Sequence, residues 1–147
     1  MKKPIIISLL YFFLTCLASF SQGEWIEEVI DPETGLRTGK IEINGVIATI
    51  NPGVDLSEIN LEGADLQGAN LERATLIFTN FKGANLKGAN LTYSRSNLAN
   101  FSNANLSESN LSWSILQGSD FSFANLYKAN LSSTNMGNAN FKDSNLE

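Results

Sequence analysis

At 147 residues the chain has the length of one ordinary domain. Its formal charge of -5 excludes a nucleic-acid binder, which needs a basic surface to neutralise phosphates. The absence of histidine removes the commonest general base and metal ligand, and Cys16 is the only cysteine.

The N-terminus has the pattern of a secretory signal. Lys2 and Lys3 supply a positive start, and Ile5 to Phe20 is an apolar run of 16 residues broken only by Ser8, Thr15 and Ser19. Small residues follow at Ala18, Ser19 and Ser21, so residues 1–21 are read as a removable signal peptide cut after Ser21, with a cut after Ala18 as the alternative. A membrane anchor competes with this reading, but the run falls short of the roughly 20 residues that usually span a bilayer. Acylation of Cys16 fits poorly, because Phe13, Leu14 and Thr15 precede it and it lies inside the run. Removal of the signal takes Cys16 with it and leaves neither a disulfide nor a thiolate metal site. It also leaves eight basic and fifteen acidic residues (10 − 2 and 15), a net charge of -7. The mature protein is expected to be secreted or periplasmic, with no membrane attachment.

Residues 22–53 show no repeat. Trp25, Ile26, Val29 and Ile30 form an apolar cluster, and Asp31-Pro32-Glu33-Thr34-Gly35 carries turn chemistry. KIEINGVIATI, from Lys40 to Ile50, places Asn44-Gly45 between β-branched residues, a hairpin signal. Short strands are expected, with a short helix over Glu24 to Ile30 as the alternative. The segment is placed to cover the first coil of whatever follows, with Trp25 lying on the open end.

From Val54 a large apolar residue recurs every five positions. The nineteen centres run from Leu56 to Leu146, and only Ser96 among them is polar. Two residues before each centre stands a small or β-branched residue, and the residue between them is usually Asn or Asp. A helix would rotate residues five apart by about 140°, so no stripe forms. A strand would send successive leucines to opposite faces. The period is satisfied only if the chain turns a corner in every repeat, with the centre and the residue two before it pointing inward. Coils then stack at a strand spacing of about 4.8 Å.

ADLQGANLER, GANLKGANLT and NANLSESNLS resemble the pentapeptide repeat family, and the resemblance covers Val54 to Glu147. It implies an all-β fold: a right-handed quadrilateral parallel β-helix, a β-solenoid with four repeats per coil, here carrying a short N-terminal β-hairpin cap. Residues 54–147 then make four to five coils, a rod roughly 20–25 Å long.

Four repeats per coil stack residues twenty apart. Three faces carry columns of amides and carboxylates: Asn60, Asn80, Asn100, Asp120 and Asn140; Asp65, Asn85, Asn105, Asn125 and Asn145; Asn70, Asn90, Asn110 and Asn130. These read as structural ladders, and the N-x-S/T strings within them as by-products of the repeat. Glu62 with Lys82, and Glu108 with Lys128, stack as surface pairs. The fourth face reads Asp55, Thr75, Arg95, Ile115 and Asn135. Ile77, Phe78 and Leu98 flank it on one side, and Arg73, Tyr93 and Trp113 share the preceding corner. Arg73, Ile77, Phe78, Tyr93, Arg95, Leu98, Trp113 and Ile115 are therefore the candidate partner-binding residues, an apolar area edged by arginines with Arg73 placed for a cation–π contact to Tyr93. Phe123 and Tyr127 fall on other columns. Ser96 needs a buried partner, and a local backbone distortion is expected there.

Met136, Phe141 and Leu146 line the C-terminal end, where a homodimer would cover them. No nucleophile–base pair, metal cluster or phosphate-cradling loop is visible, so neither catalysis nor a cofactor is expected. The sequence reads as an exported scaffold that contacts a protein or a cell-envelope component. The resemblance also allows a DNA-mimicking topoisomerase inhibitor, but the solenoid's nine acidic and six basic residues leave a net charge of only -3.

Overall fold

The computed structural model describes residues 24–43 and 45–147. The N-terminal apolar run, with Cys16 and the expected cut, lies outside the described residues.

Residues 24–50 form a three-stranded antiparallel sheet in the order β1 (Glu24–Ile30), β2 (Arg37–Ile43), β3 (Val46–Ile50). Glu24 to Ile30 is a strand, and the helical alternative is not adopted, because pairing with β2 satisfies the backbone that a helix of seven residues would leave largely uncapped. Pairing slips by one residue between Trp25 and Glu27, a bulge at Ile26. Gly39 lies opposite Glu28, and a Cβ there would stand 1.8 Å from the Glu27 carbonyl oxygen, so only glycine fits. Ile43 pairs with Val46 across the expected hairpin.

One face of this sheet closes the solenoid. Ile41, Ile43, Ala48 and Ile50 are buried in a single core with Leu56, Leu61, Leu66 and the centres that follow. Arg37 joins the ladder itself: its N–H donates to the Gly68 carbonyl at 2.7 Å, and its carbonyl accepts from the Asn70 N–H at 2.8 Å. The Trp25 indole N–H donates to the Asp65 carbonyl at 3.0 Å, with the Arg37 guanidinium 4.5 Å above the ring centre. Ile26, Val29 and Ile30 stay exposed.

The solenoid is set by fifteen isolated parallel bridges, each joining a residue to the one twenty further on, from Asp55 with Thr75 to Asn125 with Asn145. At every corner but that of Leu131 the carbonyl of the centre accepts from the N–H three residues later, as Leu106 accepts from Ser109 at 3.1 Å. The third residue of that turn has φ near +60° throughout, as type II turns require. The Asn before each centre does two jobs. Asn105 Oδ1 accepts from the Ser107 N–H at 3.2 Å, which caps the corner, and its amide donates to Asn85 at 3.3 Å, which ties coil to coil.

Inside, Phe81, Phe101, Phe121 and Phe141 form one continuous stack. Successive centroids lie 5.0, 4.8 and 4.9 Å apart with planes within 8°. The other columns are chiefly leucine. Ser96 causes no distortion: its N–H donates to Ile115 at 2.8 Å, and its hydroxyl sits 3.1 Å from that of buried Ser94. The expected distortion is thus corrected. The neighbouring serine supplies the partner, and a backbone ladder that carries the whole coil has no reason to break.

Candidate interaction surface

The fourth face differs because its residues before the centres are Thr75, Arg95 and Ile115, with no side-chain amide to cap the corner that follows. The backbone ladder is unaffected, since Thr75, Arg95 and Ile115 each donate to the coil below at 2.8–2.9 Å. What changes is the residue two further along. The N–H groups of Ile77, Asn97 and Gln117 make no hydrogen bond among the described residues, whereas Ser57 and Gly137, at the two ends of the same column, donate to Asp55 and Asn135. Three backbone donors are therefore left in a row one coil apart.

The eight candidate residues come together on this face and its two corners. Arg73, Tyr93 and Trp113 stack in one corner column: the guanidinium lies 5.6 Å above the Tyr93 ring, and the Tyr93 and Trp113 rings are 6.3 Å apart at 13°. Phe78 and Leu98 stand at the opposite corner, both about half exposed, with Ile77 half-buried beside them. Arg95 and Ile115 occupy the face between and are exposed. Arg95 is close enough to Asp55 to help lower that carboxyl's pKa, although the larger causes are the hydrogen bonds from the Ser57 hydroxyl and N–H.

The backbone holds five of the eight in the left-handed region. Arg73, Phe78, Tyr93, Leu98 and Trp113 have φ between 57° and 62°. The same corner position is glycine at 63, 68, 83, 88 and 118, and holds other side chains, Glu108, Phe123 and Lys128 among them, in the remaining repeats. A residue with a Cβ costs roughly 1–2 kcal/mol more there, a cost this surface shares with the other non-glycine corners of the solenoid.

Sequence reasoning missed three features. The recurring corner glycines signal the left-handed conformation, and Phe in every fourth repeat signals the interior stack. A shallow dent of about 290 Å³ lined by Asn97, Leu98, Gln117, Gly118 and Asn138 adjoins the apolar area. Its signal was Gly118, the one glycine in a corner column that otherwise holds Glu58, Phe78, Leu98 and Asn138. One expected ion pair is corrected. Glu108 pairs with Lys87 at 3.4 Å, because the Lys128 ammonium turns back over the Tyr127 ring at 5.0 Å. Glu62 and Lys82 pair as expected, at 3.3 Å. Among the described residues no cluster of acidic side chains could hold a metal ion, and no helix is long and apolar enough to cross a membrane.

The family model for pentapeptide repeats matches residues 55–92, 97–132 and 124–147 with eight copies. A crystal structure of a pentapeptide repeat protein from the cyanobacterium Cyanothece 51142 is 32% identical with a TM-score of 0.61, over 61% of this chain and 62% of that one. A pentapeptide repeat protein of the Arabidopsis thaliana thylakoid lumen is 29% identical, with a TM-score of 0.35, over 64% of this chain and 62% of that one. QnrB1, a plasmid-mediated fluoroquinolone resistance protein, is 15% identical, with a TM-score of 0.37, over 69% and 58%. In each case the chain spans less than two thirds of the matched protein's length. No curated protein matches the sequence. The family's architecture is the right-handed quadrilateral β-helix, and the twenty-residue bridges are its four-repeat coil.

Proposed function

Because the chain belongs to the pentapeptide repeat family, we propose that it is an exported, non-catalytic scaffold that binds a protein or cell-envelope component through its fourth face. One observation carries the reading. Exposed Tyr93 and Trp113 at one corner and Phe78 and Leu98 at the other flank the one face whose amide column lapses, so an apolar, arginine-edged area and three free backbone donors coincide. Interfaces favour Trp, Tyr and Arg in this setting, with polar groups around them.

Export rests on residues 1–21, with release to a secreted or periplasmic location and no membrane attachment afterwards. The DNA-mimic alternative lacks support from charge, since the solenoid's -3 (nine acidic, six basic) is far from a polyanion. A second copy docking on the C-terminal coil, where Met136 and Leu146 are exposed, belongs to the same reading.

The test substitutes Trp113→Ser with Ile115→Asn. Association with a captured partner should fall at least tenfold while the far-ultraviolet spectrum and melting temperature hold. Undiminished association in the folded variant refutes the surface. Mass spectrometry of the mature N-terminus tests export, and an intact N-terminus in the membrane fraction refutes it.

A further inference from the structure

The order of residues along the fourth face is self-complementary. Three columns share the coil of Tyr93, Arg95 and Leu98 as their middle rung. One rung towards the N-terminus lie Arg73, Thr75 and Phe78, and one rung towards the C-terminus lie Trp113, Ile115 and Gly118. Consider a second copy laid face to face with its rod reversed, related by a two-fold axis that crosses the rods at the middle rung. Such an axis leaves the left and right corners in place and exchanges the upper and lower rungs.

Each exchange matches unlike with like-fitting. Arg73 of one copy falls opposite Trp113 of the other, twice. The next rung above Trp113 is Ser133, too short to cover the indole, which is 58% exposed. The guanidinium that already caps Tyr93 within the chain shows the chemistry that such a ring accepts. At the other corner Phe78 falls opposite Gly118, a protruding ring against the dent. Thr75 meets Ile115 on the face between. The row of unpaired N–H groups at Ile77, Asn97 and Gln117 meets the same row of the second copy, whose Asn97 and Gln117 side-chain carbonyls are acceptors. The two Arg95 residues meet on the middle rung, a like-charge contact that opposes association, with Asp55 of each chain two rungs away.

We propose that the fourth face binds a second copy of this chain, as an antiparallel face-to-face dimer centred on Tyr93, Arg95 and Leu98. The inference rests on the reading of that face as an interaction surface and names its occupant. The contact is small. Three rungs of about 4.8 Å across one side and two corners bury on the order of 1,000 Å² in total, at the lower limit for a specific interface. A contact of this size belongs with weak, transient interfaces and not with obligate dimers.

The test uses the full chain with Cys16→Ser, so that introduced thiols are the only ones. Sedimentation equilibrium over about 1–100 µM should show a monomer–dimer equilibrium that Trp113→Ser with Ile115→Asn weakens at least tenfold. Geometry is read by cross-linking. Asn97→Cys lies on the axis and should form a disulfide-linked dimer by itself. Glu58→Cys and Asn138→Cys lie two rungs to either side in one column, so neither should cross-link alone, but an equimolar mixture should. A wild-type monomer at 100 µM overturns the inference. So does a dimer that ignores the double substitution and cross-links only through Leu146→Cys, which places the contact at the C-terminal end. If the wild type is monomeric and the double substitution still abolishes capture of a different partner, the interaction surface stands and only its self-recognition fails.

Discussion

Phe101 is the most exacting test of how the solenoid is held together. It lies inside the rod, fully buried, between Phe81 at 5.0 Å and Phe121 at 4.8 Å. Phe101→Leu keeps most of the apolar burial but removes two ring contacts, which at about 0.5–1.5 kcal/mol each amounts to about 1–3 kcal/mol. Phe141→Leu removes one contact, at 4.9 Å to Phe121, from a half-buried site, and should cost about half as much. The decisive measurement is a pair of double-mutant cycles by guanidinium denaturation followed by circular dichroism. Phe81→Leu and Phe101→Leu share a contact and should couple by about 0.5–1.5 kcal/mol. Phe81→Leu and Phe141→Leu are three rungs apart and should be additive within about 0.5 kcal/mol. Equal coupling in both cycles, or none in the first, would show that the rings are merely apolar filling and refute the stack as a separate source of stability.

Other consequences are more local. Gly39→Ala forces a Cβ into the Glu27 carbonyl and should open β1 from β2, read as faster protease cleavage between Glu24 and Arg37 with the solenoid intact. Asn105→Ala removes the acceptor of the Ser107 N–H and hydroxyl together with two ladder amides. The loss should be about 2–4 kcal/mol, since buried donors are stranded, whereas Asn135→Ala, which strands only the exposed Gly137 N–H, should cost under about 1 kcal/mol by melting temperature. Asp55 titrates below its ordinary value of 3.8 because the folded chain hydrogen-bonds its carboxylate. Its stabilisation is therefore present above that value and lost as pH falls through the lowered one. The drop in melting temperature between pH 6 and pH 3 should be smaller in Asp55→Asn, and an equal drop would show that the carboxylate has no part in it.

The solenoid was legible because burial, side-chain size and period all point one way: no other backbone buries Leu56, Leu61 and Leu66 together. The columns followed from it, and with them the meeting of Arg73, Tyr93 and Trp113. The readings that failed concerned single side chains with more than one available partner. Lys128 had Tyr127 as close as Glu108, and Ser96 had Ser94 two residues away, and column position alone does not choose between such partners. The bulge that puts Gly39 against Glu27 is set by the docking of Trp25 and Arg37 on the first coil, a tertiary constraint with no local signature. Residues 24–30 read as strand, with a short helix left as the alternative, for the same reason.

What separates the fourth face from the others is a division of labour between backbone and side chains. The coil-to-coil ladder uses N–H and carbonyl groups of every repeat, and it runs through Thr75, Arg95 and Ile115 with the same 2.8–2.9 Å bonds as through the asparagines. The fold therefore places no demand on what those positions present outward. The corners do place one, because every third turn residue is left-handed, and glycine or asparagine satisfies it most easily. Tyr93 and Trp113 meet that demand badly on local grounds, and their mutual stacking at half exposure returns only about 0.5–1.5 kcal/mol of the roughly 1–2 kcal/mol that each conformation costs. Phe78 and Leu98 carry the same strain with no ring contact to offset it. Phe123 and Lys128 carry the same conformation on other columns, so what sets this face apart is that Phe78 and Leu98 stand beside the free N–H groups of Ile77 and Asn97.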